Sequence, residues 1–351
     1  MLYFLKDRYR DFRGEVLAIP GRIIALIFFL LLLMVPLFSK SPYLLKFLIY
    51  TNIFVIFAVS WDLLSGYVGQ INLGHALFFG VAAYTDALLH IHFGLPPWLA
   101  ILCGACASVL AGLVIGIVAL RLRGVYFALV TLAFPIILSG VVLTWHELTG
   151  GEFGLSGISR LTSSRVMDYY FVLGTMAVSV LVMWKLTDVR SRIIRTAVIF
   201  HAIREDEVTA RISGINTTRY KLAAFAVSAF FAGITGGLYT HVLRVVGPST
   251  LELSLSLNAF IWTIFGGLGT IYGPVVGVYI IHPMLELLTF VPWLIKFRTL
   301  ILALLLIIVI LFMPQGIARR IKDKIEKECP RCKLTNAFTR KECRACGAEL
   351  A

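Results

Sequence analysis

Long apolar runs alternate with short polar segments along almost the whole chain. Most of ten such runs approach the ~20 residues that an α-helix needs to cross a bilayer, and the eighth is shorter and interrupted. The runs lie at roughly 23–38, 44–64, up to about 92, up to 120, 125–143, 169–186, from 220 onward, 254–265, 274–290 and 299–312. The pattern predicts an all-α integral membrane protein with about ten transmembrane helices.

The composition supports this class, and the distribution of charge predicts the orientation. Hydrophobic residues make up 59% of the 351 residues and charged residues 15%, whereas a soluble domain carries about a quarter charged. With ten spans and both termini in the cytoplasm, the inside segments 1–22, 121–123, 188–221 and 316–351 hold 24 of the 32 Lys and Arg residues. Because cytoplasmic loops are enriched in Lys and Arg, the net charge of +13 indicates membrane topology rather than nucleic-acid binding.

The longest polar interruption, residues 188–218, joins the sixth and seventh runs. Three acidic residues come early, at 205–207, where carboxylates suit the positive end of a helix dipole. Glu207 precedes Arg211 by four residues, which is the favoured order for an ion pair on a helix, and Gly214 supplies a left-handed stop. We predict a charged helix of about three turns that is either a solvated connector or a docking surface for a partner.

A first glycine-rich break interrupts the chain between the second and third runs, within residues 61–89. Non-helical backbone at membrane depth persists only against protein or a water-filled cavity. The break either lines a translocation path or permits a close helix crossing with its polar groups satisfied internally. On the first of these alternatives, the positions that would form the path or its gate are Gly69, Gln70, Asn72, Gly74 and His75.

Two further features belong to the same question. The sequence FGGLGTIYGPVVG, residues 265–277, predicts a second break in which Gly267 and Gly269 either serve the gate or permit a close crossing. Thr131 is the one polar group in the middle of the fifth run. Its hydroxyl either faces the path or bonds the backbone of its own helix, as Ser and Thr commonly do.

The tail after the last run has a different character. Four cysteines, Cys329, Cys332, Cys343 and Cys346, form two Cys-x2-Cys pairs that are separated by ten residues. Four thiolates at this spacing can close a tetrahedral metal site, and a cytoplasmic tail disfavours the alternative of disulfides. We predict a zinc ribbon over residues 329–347, with iron as the rival metal, in a cytoplasmic tail that covers 319–351.

Several stretches resemble one transporter family. Residues 202–239 closely resemble the corresponding segment of LivM-type permeases, the membrane subunits of branched-chain amino acid ABC importers. Residues 61–89 look like a signature of LivM and LivH permeases. The stretches RGVYFALVTLAFPIIL, from Arg123, and TGGEFGLSGI, from Thr149, resemble LivM, and the second break also resembles the family. The resemblance covers about residues 44–318 and does not include the tail.

The resemblance implies a transmembrane permease domain over residues 23–318, after a cytoplasmic N-terminal segment 1–22, in a prokaryotic cell membrane. It implies that segment 188–218 couples the permease to an ATPase. The partners it implies are a LivH-like second permease, two ABC ATPase subunits and an extracytoplasmic binding protein. The residues to which it gives the ATPase contact are Ala202, Arg204, Glu205, Glu207, Arg211 and Gly214.

Other function classes stay open on the residues alone. Related permeases carry urea or short amides, which is the second substrate class, and an ATP-independent carrier or channel is a different class. A membrane enzyme is disfavoured, because the chain lacks His-Glu-x-x-His, Gly-x-Ser-x-Gly and a P-loop. We predict no catalytic residues and no cofactor for transport in this subunit.

Overall fold

The computed structural model describes residues 20–39, 41–122, 124–188, 196–290, 293, 296–313, 315–329, 335–338, 342–343, 346–347 and 349. The principal helices in these parts are α1 Pro20–Phe38, α2 Pro42–Asp62, α3 His75–Phe93, α4 Pro97–Ala119, α5 Val125–Thr144, α6 His146–Thr149, α7 Arg165–Thr187, α8 Thr196–Glu205, α9 Glu207–Ile212, α10 Thr217–Leu243, α11 Leu253–Gly266, α12 Tyr272–Leu287, α13 Arg298–Phe312 and α14 Ile317–Ile325. A π-helical turn, Leu63–Tyr67, follows α2, and 3-10 turns cover Pro248–Leu251 and Leu288–Phe290.

Short strands form two antiparallel ribbons. The first pairs β1 Leu155–Ser156 with β2 Val245–Val246, so that the loop after α6 contacts the end of α10. The second pairs β3 Glu326–Glu328 with β4 Thr335–Ala337 in the tail.

The predicted spans coincide with helices, and the all-α membrane class is confirmed. Six stretches are long and apolar enough to cross a bilayer: Pro42–Tyr67, His75–Phe93, Pro97–Ala119, Val125–Thr144, Arg165–Thr187 and Thr217–Leu243. The first, eighth, ninth and tenth predicted spans coincide with α1, α11, α12 and α13, which have 19, 14, 16 and 15 residues. Among the described residues, length and composition therefore confirm six of the ten predicted spans, and the full count stays a prediction.

Helix α2 forms the centre of the bundle. It packs against α7, α10, α11 and α12, and its Phe57 and Trp61 side chains are buried. Helix α10 lies so close to α3 that a Cβ on Gly236 would be only 2.2 Å from the carbonyl oxygen of Phe79. Small residues permit such contacts between spans. Large apolar side chains on the outer faces of α1, α4 and α5 stay exposed and are available to lipid.

The helix junctions gather at two ends of the bundle. At one end the loop after α6 contacts the end of α10, where Arg244 Nε donates to the carbonyl oxygen of Ile158 at 3.2 Å. At the other end the second break contacts the first break, Arg204 of α8 and the residues just before α14, as described below. Helices α3 and α10 each have one terminus in each group, so the two groups lie at opposite ends of the spans.

A buried polar cluster at the first of these ends corrects one sequence expectation. The spacing of Asp86 and His90 predicts that these two residues pair on α3. Instead, Asp86 lies 3.2 Å from Nε2 of His241 on α10, and both side chains are buried. His90 Nδ1 lies 2.7 Å from the carbonyl oxygen of Leu95. The prediction named the wrong partner, because Asp86 contacts a histidine across the helix crossing and not along its own helix.

Candidate functional site

The first glycine-rich break, residues 63–74, is a hydrogen-bonded structure and not an open loop. The Ser65 hydroxyl donates to the carbonyl oxygen of Gln70 at 3.0 Å and accepts from the Asn72 N–H at 3.2 Å. Trp61 Nε1 donates to the Asn72 carbonyl oxygen at 2.6 Å. Gly69 has φ +77°, a conformation that favours glycine. The backbone therefore leaves the helix without losing its polar partners, as membrane depth requires.

Two of the polar side chains assigned to the path are enclosed in protein. His75 is fully buried, its Nε2 lies 2.9 Å from the Ser60 hydroxyl, and its ring packs on Phe57. Asn72 is also buried, and its Oδ1 accepts from the Gly74 N–H at 2.9 Å. Gln70 is half-buried. These contacts brace the break, and a role in translocation remains a prediction for all three residues.

Thr131 joins α5 to the break. Its hydroxyl donates to the Ala128 carbonyl oxygen at 2.9 Å, within its own helix, and accepts from the Leu73 N–H at 3.2 Å. A Cβ on Gly74 would lie 2.0 Å from the Thr131 carbonyl oxygen. Gly74 therefore permits a direct contact between the start of α3 and the backbone of α5.

The second glycine-rich break, residues 266–273, lies directly against the first. Asp62, the last residue of α2, accepts from the Gly269 N–H at 2.8 Å, and the Ile271 N–H donates to the Tyr67 hydroxyl at 3.1 Å. A Cβ on Gly66 would lie 2.6 Å from the Gly269 nitrogen. Gly267 and Gly269 have φ of +131° and +73°. The two breaks therefore form one unit at the same end of the bundle.

The connecting segment, residues 196–216, contains two short helices where the sequence predicts one of about three turns. The carboxylate of Asp206 accepts from the N–H groups of Val208 and Thr209 at 2.8 and 3.2 Å, and so caps α9. The Thr209 hydroxyl and these two N–H groups hold the pKa of Asp206 below its usual range. An Asp that bonds its neighbouring backbone favours a helix start over a helix interior, which explains the division at this residue.

The end of α9 follows the sequence prediction. Gly214 has φ +85°, its N–H donates to the Arg211 carbonyl oxygen at 3.1 Å, and the Ile215 N–H donates to that of Ala210 at 3.1 Å. This pair of bonds is a Schellman motif, for which glycine is the usual residue. The cap of α10 is Asn216, whose side chain accepts from the Arg219 N–H.

Glu207 anchors the connecting segment to α10. Its carboxylate lies 3.1 Å from Arg211 Nη2, which is the predicted pair, and 2.6 Å from Lys221 Nζ. The Lys221 side chain is 3% exposed and that of Glu207 18%, whereas that of Arg211 is 56% exposed. Because an ion pair that water screens contributes little, the Glu207–Lys221 pair is the stronger of the two. Glu207 therefore fastens α9 to α10, and its contact with an ATPase stays a prediction.

Arg204 joins the connecting segment to both breaks. A Cβ on Gly69 would lie 3.3 Å from Arg204 Cγ, and a Cβ on Gly269 would lie 2.5 Å from Arg204 Nη1. Gly269, beside the Arg204 guanidinium, donates its N–H to the buried carboxylate of Asp62 at 2.8 Å. Because glycine has no side chain, Gly69 and Gly269 leave room for the arginine. The structure thus brings Arg204, which was assigned to the ATPase contact, together with Gly69 and Gly269, which were assigned to the path or gate.

The rest of the connecting segment divides into a packed and an exposed face. Ala202 is half-buried against the core, and Glu205 is exposed. On α9, Val208 is 50% exposed and Ile212 82% exposed. Burial of His201, followed by the nearby Arg204 charge, lowers the pKa of that imidazole. The segment therefore presents an apolar patch, Val208 and Ile212, away from the bundle.

Asp62 and Lys221 are central to this geometry, but the sequence analysis assigned neither to the site. Both are ionisable residues at the ends of apolar runs, and such residues are rare there and usually paired. That rule alone singles out the two positions. Their partners are far away in sequence and cannot be read from spacing, because Asp62 meets the second break and Lys221 meets Glu207.

The tail brings its described cysteines together, as predicted. The sulfur atoms of Cys329, Cys343 and Cys346 all lie within 4.8 Å of one another. Cys329 and Cys346 are 3.5 Å apart, well beyond the ~2.05 Å of a disulfide. Zn–S bonds of ~2.3 Å in a tetrahedron put the sulfurs ~3.8 Å apart, so the arrangement fits a metal ion. The fourth predicted ligand, Cys332, lies outside the described residues.

Comparisons with known proteins agree with the geometry. A family model described as "Branched-chain amino acid transport system / permease component" matches residues 43–310. The permease protein LivM of the high-affinity branched-chain amino acid transport system of Salmonella typhimurium is 29% identical over 297 residues, which cover 76% of this chain and 68% of that protein. Escherichia coli LivM is 28% identical over 297 residues, which again cover 76% of this chain and 68% of that protein. Salmonella typhimurium LivH is 25% identical over 78% of this chain and 93% of that protein.

Among solved structures, "PsaBC from Streptococcus pneumoniae in complex with Fab" matches 81% of this chain and 96% of its own chain at 16% identity, with a TM-score of 0.43, which is too low to establish a shared fold. The family match, in contrast, spans most of the 351 residues. The chain therefore belongs to the family of branched-chain amino acid transport system permease components, and it is a multi-pass membrane transport subunit, not an enzyme.

Proposed function

We propose that this chain is a LivM-like permease subunit of an ATP-driven importer of leucine, isoleucine and valine. It works with a LivH-like second permease, two ABC ATPase subunits and an extracytoplasmic binding protein in a prokaryotic cell membrane. The names of the similar proteins support the substrate class, since both LivM and LivH relatives are named as high-affinity branched-chain amino acid permeases.

One observation carries the proposed mechanism: the connecting segment is tied both to α10 and to the two breaks. Glu207 holds α9 against Lys221, and Arg204 lies between Gly69 and Gly269. The exposed Val208 and Ile212 form the apolar patch that docks on the ATPase. ATP-driven closure of the ATPases displaces α8 and α9, and the Arg204 contact transmits this displacement to both breaks.

The breaks then act as hinges of the translocation path. Gly69, Gly267 and Gly269 have positive φ values and lie where α2 and α11 end, so small rotations there tilt the adjoining spans. The residues that hold the first break together keep it folded while it moves. They are Gln70, Asn72, Gly74, His75 and Thr131. In this mechanism the permease domain moves between inward-open and outward-open states, and the ATPase subunits hydrolyse the ATP.

The loop at the opposite end of the bundle supplies the docking site for the binding protein. It is held by the β1–β2 ribbon, and Thr149 Oγ1 donates to the Val142 carbonyl oxygen at 2.6 Å. Phe153 at its tip is 95% exposed. A large apolar side chain on an ordered loop suits a protein interface, because little entropy is lost on binding.

The transport assay separates the substrate classes and the mechanisms. We expect proteoliposomes with the complete complex to take up labelled leucine only with internal ATP and with the binding protein outside. Excess isoleucine or valine should compete, and urea or acetamide should not. Competition by urea or acetamide alone would favour the amide class. Equal uptake by the two permeases without ATPases would establish an ATP-independent carrier.

The proposed orientation puts both termini in the cytoplasm. The loop 145–164 then lies outside, and the segment 189–195, which is outside the described residues, lies inside. We expect a cysteine in place of Ser156 to react with an impermeant maleimide on intact cells, and a cysteine in place of Ser191 to react only after permeabilisation. The native cysteines are first replaced in both variants. Labelling of the Ser191 site alone on intact cells would contradict this topology.

We propose that the tail binds one zinc ion through Cys329, Cys332, Cys343 and Cys346. Replacement of Cys343 by Ser should remove most bound zinc from the purified protein, because Cys343 is buried among the other sulfurs and structural zinc contributes ~10 kcal/mol or more to folds of this kind. Cys106→Ser is the matched control, since Cys106 is an exposed residue of α4. Metal analysis of both proteins checks the prediction, and wild-type protein with neither zinc nor iron would contradict it.

A further inference from the structure

Helix α14, where the tail begins, and the two residues before it contact the second break, beyond the end of the family match at residue 310. Gly316, just before α14, has φ +82°, and a Cβ there would lie 2.3 Å from Gly267 Cα. A Cβ on Gly267 would in turn lie 3.1 Å from the Gln315 carbonyl oxygen. Further along α14, Lys322 Nζ lies 5.4 Å from the centre of the Tyr272 ring, at the start of α12. The backbone of residues 315 and 316, between α13 and α14, therefore packs directly on the backbone of Gly267.

The same tail also reaches the start of α1. Glu326, the first residue of β3, is 8% exposed, and its Oε1 accepts from the Gly21 N–H at 3.0 Å. A Cβ on Gly21 would lie 2.5 Å from that oxygen. Strand β3 begins with Glu326, which contacts α1, and Cys329, a predicted metal ligand, directly follows the strand.

Neither half of the tail is large enough to hold this position without help. Helix α14 has nine residues, and isolated helices shorter than ~12 residues are marginal in water. Among the described residues of the ribbon, the buried side chains are Glu326, Cys329, Asn336 and Cys343, so a bound metal would supply most of what holds β3 against β4. The buried Asn336 side chain, in β4, lies 3.6 Å from the Cys343 sulfur and links this strand to the metal ligands.

We propose that the metal-bound tail is a clamp with a second function: it fastens the start of α1 to the second glycine-rich break and makes the position of that break depend on zinc. Zinc bound by the thiolates orders β3, β3 places Glu326 on Gly21, and the ordered α14 keeps Gly316 packed on Gly267. The expected consequence for transport rests on the proposed function. Loss of zinc loosens the hinge that Arg204 contacts, and uptake by the complex falls.

Hydrogen exchange in the purified complex, followed by mass spectrometry, tests the clamp without a transport assay. We expect zinc removal by a chelator to speed amide exchange about fivefold or more in peptides that cover residues 20–26 and 263–275. Re-addition of zinc should restore the slow rates. Glu326→Ala should speed exchange at residues 20–26 by a similar factor and retain the bound zinc, because it removes only the acceptor of the Gly21 N–H.

The matched control is Asp323→Ala, which removes the same charge from an exposed position of α14 and should leave both peptides unchanged. Equal exchange in zinc-bound and zinc-free protein at both segments would overturn the clamp, as would unchanged exchange at residues 20–26 in Glu326→Ala. These measurements need neither substrate nor ATP. A failure of the clamp is therefore distinguishable from a failure of the proposed transport function, which the leucine uptake assay tests separately.

Discussion

The variant Glu207→Arg should insert and assemble normally but lose most ATP-driven uptake. It places a second cation beside Lys221, whose side chain is 3% exposed, and an unpaired buried charge typically costs ~3–5 kcal/mol. We expect α9 to leave its position on α10, so that ATPase closure no longer reaches the breaks. Uptake and substrate-stimulated ATP hydrolysis should fall together by roughly tenfold or more, since a factor of ten corresponds to only ~1.4 kcal/mol.

The control for this variant is Glu252→Arg, the same charge reversal at an exposed residue between α10 and α11. Both proteins are purified with their partners and compared with wild type for complex yield, ATP hydrolysis and leucine uptake. Wild-type rates in an assembled Glu207→Arg complex would show that the segment is only a connector. If both variants lost uptake and ATP hydrolysis equally, the effect would come from the change in net charge and not from the Glu207–Lys221 contact.

Gly269→Ala should uncouple ATP hydrolysis from uptake without abolishing hydrolysis. Gly269 has φ +73°, which costs an L-residue with a side chain on the order of 1 kcal/mol. The new Cβ would lie 2.5 Å from Arg204 Nη1 and 3.2 Å from the Gly66 carbonyl oxygen. The Arg204 end group can move, but then it leaves the site beside Asp62. We expect ATP hydrolysis to persist while leucine uptake falls about tenfold.

Gly174→Ala is the matched control, because Gly174 lies within α7 and a Cβ there meets nothing within 4 Å. The number of leucine molecules taken up per ATP hydrolysed separates the two variants. We expect this ratio to fall for Gly269→Ala and to stay at the wild-type value for Gly174→Ala. An unchanged ratio in Gly269→Ala would mean that the Arg204 contact with the second break does not carry the coupling.

The fold was accessible from the sequence, because the apolar runs and their bounding prolines and glycines act locally. Gly214 illustrates this, since a left-handed helix stop needs a glycine whatever lies around it. The division of the connecting segment at Asp206 was missed, because acidic residues suit both the first turn of a helix and its cap. Only the bonds to Val208 and Thr209 show which role Asp206 has.

The site was accessible only in pieces. The two breaks, the connecting segment and the tail are far apart in the chain, and no spacing rule predicts that Gly269 meets Asp62 or that Gly316 meets Gly267. The assignment of Glu207 to the ATPase contact followed from the family resemblance, which could not reveal its contact with the buried Lys221. Sequence position also did not show that Val208 and Ile212 would form an exposed apolar patch on α9.

The most direct test of the account is whether ATP binding moves the breaks through the connecting segment. Hydrogen exchange is measured on the assembled complex before and after it is trapped with a non-hydrolysable ATP analogue. In wild type we predict that exchange changes in residues 63–74, 196–216 and 266–273 together. In Glu207→Arg the change should be confined to 196–216. If the nucleotide analogue still changed exchange at both breaks in Glu207→Arg as much as in wild type, the account would be contradicted.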